Sequence, residues 1–161
     1  MRKGFTLVEL ILVLGIMIAI GAIVFASLAS RRSEADLAAT TQQVATLLRQ
    51  AQSDAVEQQN GAVAGSSIAW GVHFSNATNT VPFYALFTGS YSATATVNYY
   101  PLPTTLAYQT STLASGATLD VIFSPITGAS SVSTSIGFYM PKQNTAFSST
   151  ISIASSGQVS Y

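Results

Sequence analysis

One carboxylate sits inside an otherwise apolar N-terminal run. Arg2, Lys3 and Gly4 precede Phe5, the apolar stretch opens there, and Glu9 interrupts it before twenty uncharged residues, 10–29. At 1.5 Å per residue those twenty residues make a helix of about 30 Å, the thickness of a bilayer's hydrocarbon core. A charge within such a segment is costly unless something compensates it. Arg31 and Arg32 follow the run, so basic residues flank both ends, and the very short N-terminal flank points to the amino terminus in the cytoplasm with the bulk of the chain outside.

Three readings of this segment compete. A cleaved secretory signal would use Ser27-Leu28-Ala29 as its small-x-small site and start the mature chain at Ser30, but the apolar region exceeds the usual length and Glu9 is foreign to it. An uncut anchor suits the length but has no use for Gly4 or Glu9. The third reading comes from the string Gly4-Phe5-Thr6-Leu7-Val8-Glu9 behind a basic leader and before a full apolar span. It resembles the processing motif of type IV prepilins, shared by pilins and by the pseudopilins of type II secretion.

The resemblance implies cleavage between Gly4 and Phe5 by a membrane aspartyl peptidase, N-methylation of Phe5, and a role for Glu9 in assembly. The physical argument runs in parallel. Cleavage creates an ammonium on Phe5, one helical turn from Glu9, and in a bundle of such helices the ammonium of one subunit can meet the carboxylate of its neighbour. Deleting one partner of a buried pair costs about 3–5 kcal/mol, because the other charge is left uncompensated. The alternative for Glu9 is to reach the headgroups from its place near the helix end.

Composition divides what remains. Of twelve formal charges, ten lie at or before Glu57, leaving Asp120 and Lys142 in the following 104 residues, and the net charge is zero. Bulk charge therefore recruits neither polyanions nor polycations. The absence of cysteine removes disulfides, thiolate metal sites and thiol nucleophiles. Many pilins close a C-terminal loop with a disulfide, so the resemblance points to a minor subunit.

Between residues 33 and 59, Leu37, Thr41, Val44, Leu48, Ala51 and Ala55 recur at spacings of three and four, the stripe of an amphipathic helix, with Asn60-Gly61 as its stop. With no proline before Pro82, nothing forces a break from Phe5 onward. Residues 47–57 resemble the second helical half of the GspH/FimT group of minor pseudopilins and pilins.

From Ile68 the period becomes two: Trp70, Val72 and Phe74; Phe83, Ala85 and Phe87; Leu119, Val121 and Phe123; Ile136, Phe138 and Met140; Ile151 and Ile153; Val159 and Tyr161. Turn signals separate these runs at Ser75-Asn76, Gly89-Ser90, Pro101 and Pro103, Pro125 with Thr127-Gly128, and Ser156-Gly157. The strings Trp70-Gly-Val-His-Phe74 and residues 121–128 also resemble a GspH-type head.

The expected architecture is α+β and type IV pilin-like: a leader (1–4), a long N-terminal helix (5–59) with a transmembrane segment near 10–29, and a β-rich head (60–161) whose antiparallel sheet packs on the amphipathic half of the helix. The expected function is that of a structural subunit, a minor pilin or pseudopilin of a type IV filament or type II secretion pseudopilus. It would be held in the bacterial inner membrane by a single pass with the head outside, and then sit in a filament at the envelope or surface. Implied partners are other pilin or pseudopilin subunits, the prepilin peptidase and methyltransferase, the inner-membrane assembly platform, and membrane lipid before assembly. The rival reading is an adhesin-like or substrate-binding head on a membrane anchor.

Enzymatic chemistry has little to draw on. His73 is the single histidine, and its register places it away from the apolar face of its strand, hence exposed; Asp120 is the single carboxylate of the head. No acid–base pair, oxygen-ligand calcium cage or phosphate loop emerges, so no metal, cofactor or catalytic residue is expected. Nucleic acid is not expected either, since the head offers Lys142 as its one cation, and Tyr84, Tyr91, Tyr99, Tyr100 and Tyr139 read as sheet and core residues. Asn76-Ala-Thr78 forms a glycosylation sequon by spacing alone.

Overall fold

The computed structural model describes residues 7–57, 68–141 and 147–161, with no side chains between 23 and 30. One helical element, α1 (Leu7–Val56), is followed by eight strands. The chain divides into two compact units, Met1–Ala35 and Asp36–Tyr161.

In the first unit, the side chains of α1 residues 7–22 and 31–35 are described. Among the described residues no helix is long and apolar enough to cross a membrane. This overturns the expected transmembrane segment near 10–29, the single-pass placement in the inner membrane, and the pilin-like architecture of a long membrane-plus-amphipathic helix.

The second unit also departs from the expected single sheet. Its strands are β1 (Trp70–Ser75), β2 (Phe83–Thr88), β3 (Thr96–Pro101), β4 (Ala107–Tyr108), β5 (Thr118–Phe123), β6 (Thr134–Tyr139), β7 (Ser148–Ile153) and β8 (Val159–Ser160). They form two antiparallel four-stranded sheets, ordered β3-β2-β1-β5 and β4-β6-β7-β8. Period-two patterning identifies a half-buried strand but carries no information about which strands share a sheet.

Helix residues Leu37, Val44, Leu48, Ala51 and Ala55, with Ala45 and Leu47 widening the stripe, share one buried cluster with both sheets. The first sheet contributes Trp70, Val72, Phe74, Tyr84, Leu86, Val121 and Phe123; the second contributes Tyr108, Ile136, Phe138, Ile151 and Ile153. Thr41 is buried in the stripe, and its hydroxyl donates to the Leu37 carbonyl at 2.8 Å. The helix face thus serves as a wall that neither sheet supplies for itself. The β2 set Phe83, Ala85 and Phe87 lies opposite the central cluster, because register with β1 puts Tyr84 and Leu86 on the inner side. Pro101 ends the edge strand β3 rather than standing in a turn, a position where a missing N–H costs no ladder bond.

The end of α1 is docked by the turn after β5. Ile126 N–H donates to the Ala55 carbonyl at 3.1 Å, and the Gln52 carboxamide donates to the Gly128 carbonyl at 3.1 Å. Two residues there are left-handed, Ile126 at φ 69° and Gly128 at φ 64°. Gly128 suits its place, since a Cβ would meet Val56 Cγ2 at 2.7 Å. Ile126 is β-branched and 64% exposed, so its conformation is strained with no burial to offset it. Ile126→Asn is therefore expected to stabilise the protein by about 1 kcal/mol in urea denaturation, the reverse of a normal surface-to-core loss.

Two core phenols set an alkaline limit. Burial, with a smaller effect from Tyr100, pushes Tyr84 up to about 12, and burial moves Tyr108 upward as well while its hydroxyl donates to the Phe83 carbonyl at 2.9 Å. The native state holds these protons more tightly than the unfolded chain, so stability is complete below pH 10 and declines as pH rises through Tyr84's folded value. For Tyr84 alone the loss is on the order of 2 kcal/mol, to be read as a falling urea midpoint between pH 9.5 and 12 that Tyr84→Phe makes shallower, the remaining fall coming from Tyr108.

Candidate functional site

Gly4 and Phe5 lie outside the described residues. Glu9 stands in the first turn of α1, where the aligned peptide dipoles favour a negative charge. Around it the helix is apolar on every side and uncovered. Leu7, Val8, Leu10, Ile11, Leu12, Val13, Leu14, Ile16, Met17, Ile18 and Ile20 are each 48–74% exposed. Apolar patches on self-contained proteins rarely exceed a few hundred Å², and a helix that is apolar all round belongs in an interior.

The second cluster was not legible as such. His73 is buried at 5% exposure, a correction to its expected surface position. It lies in β1 directly opposite Asp120 of β5, and its Nδ1 is 2.5 Å from Asp120 Oδ1. Tyr91, from the segment joining β2 to β3, closes the other side, its ring parallel to the imidazole (2°) with centroids 3.5 Å apart. Phe83 and Phe87 complete the cover, Phe83 5.7 Å from the His73 ring and Phe87 edge-on to Tyr91 at 5.7 Å. Burial first, then the Asp120 carboxylate and Tyr99, hold the Tyr91 phenol above its ordinary value. The signal available in the sequence was that the head's one acid lies inside a strand; pairing it with His73, 47 residues away, required the register of two strands.

This cluster is a hydrogen-bonded pair beneath an aromatic lid. Among the described residues no three histidine, cysteine or carboxylate side chains are grouped to hold a metal. Tyr84 and Tyr100 stack on one another at 5.3 Å and Tyr99 packs on Phe83 at 4.7 Å, so three of the five tyrosines serve the sheet. Arg49 is engaged with the β8 end, donating to the Val159 carbonyl at 3.2 Å with its guanidinium 5.4 Å from the Tyr161 ring.

A double-mutant cycle on His73→Gln and Asp120→Asn should give a coupling of about 1–2 kcal/mol in chemical denaturation, each single change costing more than a surface substitution. A coupling near zero would show that the burial of His73 rests on Tyr91 alone. Comparison with protein-family models, with curated proteins and with solved structures yields no match.

Proposed function

We propose that this chain is a structural subunit that assembles with like chains through its N-terminal helix, as a minor pilin or pseudopilin of a type IV filament or type II secretion pseudopilus. The observation that carries this reading is the contrast between the two units. The head closes its own core, and among its described residues every buried side-chain nitrogen or oxygen has a hydrogen-bond partner. Among its described residues the first unit leaves eleven large apolar side chains exposed around its helix. Neighbouring helices of the same kind supply an apolar surface on all sides, which a single partner on one face does not.

The processing motif Gly4-Phe5-Thr6-Leu7-Val8-Glu9 supports the same reading. Cleavage after Gly4 gives each helix an N-terminal ammonium, and Glu9 of a neighbour is its natural counter-charge. The pair fixes one axial stagger among surfaces that are otherwise non-directional, because hydrophobic contact alone sets no register.

Two measurements test this. Mass spectrometry of the mature protein should find N-methylated Phe5 as the first residue; an intact Met1 or a start at Ser30 counts against the proposal. Differently tagged copies should co-assemble, and Glu9→Ala should reduce incorporation by more than tenfold, in line with the loss of one buried charge partner, while Glu34→Ala leaves it unchanged.

A further inference from the structure

The outer face of the second sheet carries a different kind of surface. Side chains that point away from the core there are Ser135 and Tyr139 of β6, Thr150 and Ser152 of β7, and Ser160 of β8, in direct cross-strand register as Ser135 with Ser152 and Ser152 with Ser160. Two grooves open on this face. One, of about 420 Å³, is lined by Ser133, Thr134, Ser135, Ser152, Gln158 and Ser160, with Ile153 and Ala154 at its floor. The other, of about 240 Å³, is lined by Gln109, Thr110, Ser111 and Tyr139. Among the described residues no charged side chain lines either.

Gly137 lies between them on β6, and its missing Cβ is put to use. A Cβ there would run into the Gln109 carboxamide oxygen, so the glycine is what lets that carboxamide lie flat on the sheet. The position is fixed from both sides. The Gly137 carbonyl accepts from Gln109 N–H at 2.8 Å, and Gly137 N–H donates to the Thr112 hydroxyl at 3.0 Å. The result is a row of uncharged donors and acceptors running from Ser135 to Tyr139, about 14 Å along the strand, with one aromatic ring at its end.

We propose that this face binds a short stretch of neutral polysaccharide. A charged ligand would find no counter-ion among the described residues of either groove and would lose hydration without compensation. A protein partner would be held by buried aromatic and arginine anchors in apolar pockets, of which the described residues lining these grooves offer Tyr139 alone. A neutral sugar chain presents many hydroxyls, each donor and acceptor, and apolar ring faces that lie against an aromatic side chain. Hydroxyl and carboxamide groups match the first property and Tyr139 the second. The site is independent of the helical assembly surface and stands or falls without it.

The test uses the full chain in detergent micelles with cellopentaose, maltopentaose and chitotetraose as neutral probes and a sulfated heparin pentasaccharide as the charged control. Saturation-transfer NMR and calorimetry should find at least one neutral probe bound with a dissociation constant on the order of 1 mM and the sulfated one unbound. Tyr139→Ala and Gln109→Ala should each weaken binding about fivefold or more, Tyr139→Phe should retain it, and Thr118→Ala on the first sheet should have no effect. Ser152→Arg, at an exposed position that leaves the core untouched, should block the larger groove and abolish binding. The proposal is overturned by silence of all neutral probes at about ten times that concentration, by stronger binding of the sulfated probe, by indifference to Ser152→Arg, or by self-association of the chain through this face.

Discussion

Everything in the head depends on one stripe of a helix. Two four-stranded sheets with no disulfide and almost no charge meet on Leu37, Val44, Ala45, Leu47, Leu48, Ala51 and Ala55. Each sheet has an apolar face to cover, and neither is large enough to cover the other and close its ends as well. The helix supplies the third surface. The terminal turns of α1 are then tied down by polar contacts: Gln52 to the Gly128 carbonyl, Arg49 to the Val159 carbonyl, and the Ala55 carbonyl to Ile126 N–H. One element thereby organises both sheets, one through the turn after β5 and the other through β8.

The contrast with the first unit clarifies what the N-terminal segment is for. Where the helix carries an apolar stripe and polar flanks, the protein provides its own cover. Where it is apolar all round, its described side chains from Leu7 to Ile20 lie exposed. A helix of that kind takes its stability from packing rather than from propensity. Its single carboxylate is then the only feature in the stretch with a preferred direction.

Legibility in the sequence followed the physics of each signal. The buried stripe from Leu37 to Ala55 was readable because a 3.6-residue period is local. The strands β1, β2, β5, β6 and β7 lie where alternating apolar residues were found, but β3 was hidden by its composition, Thr-Val-Asn-Tyr-Tyr-Pro, in which an edge strand has no need to alternate. The partition into two sheets was not readable, since it rests on β1 pairing with β5, which sets His73 opposite Asp120, 47 residues away. His73 was misplaced for a related reason. Alternation correctly put it on the face opposite Trp70, Val72 and Phe74, but the cover supplied by Tyr91 comes from a connecting segment whose path no periodicity encodes. The membrane reading rested on counting apolar residues, and the described helix does not sustain it. Of the proposed site, the helix motif was visible in the sequence, whereas the grooves beside Gly137 required strand register.

The scarcity of charge on the head has a consequence for crowding. Beyond Glu57 the sequence holds only Asp120 and Lys142, and Asp120 is already engaged with His73. Two such surfaces brought side by side do almost no Coulombic work against each other. There is equally little for dissolved ions to screen, so their closest approach is the same in dilute and in concentrated salt. Most soluble proteins rely on like-charge repulsion to stay apart. This head has given that up, and what keeps neighbouring copies from sticking is the hydration of serine and threonine hydroxyls alone, a short-range barrier that acts only when surfaces are a few water layers apart.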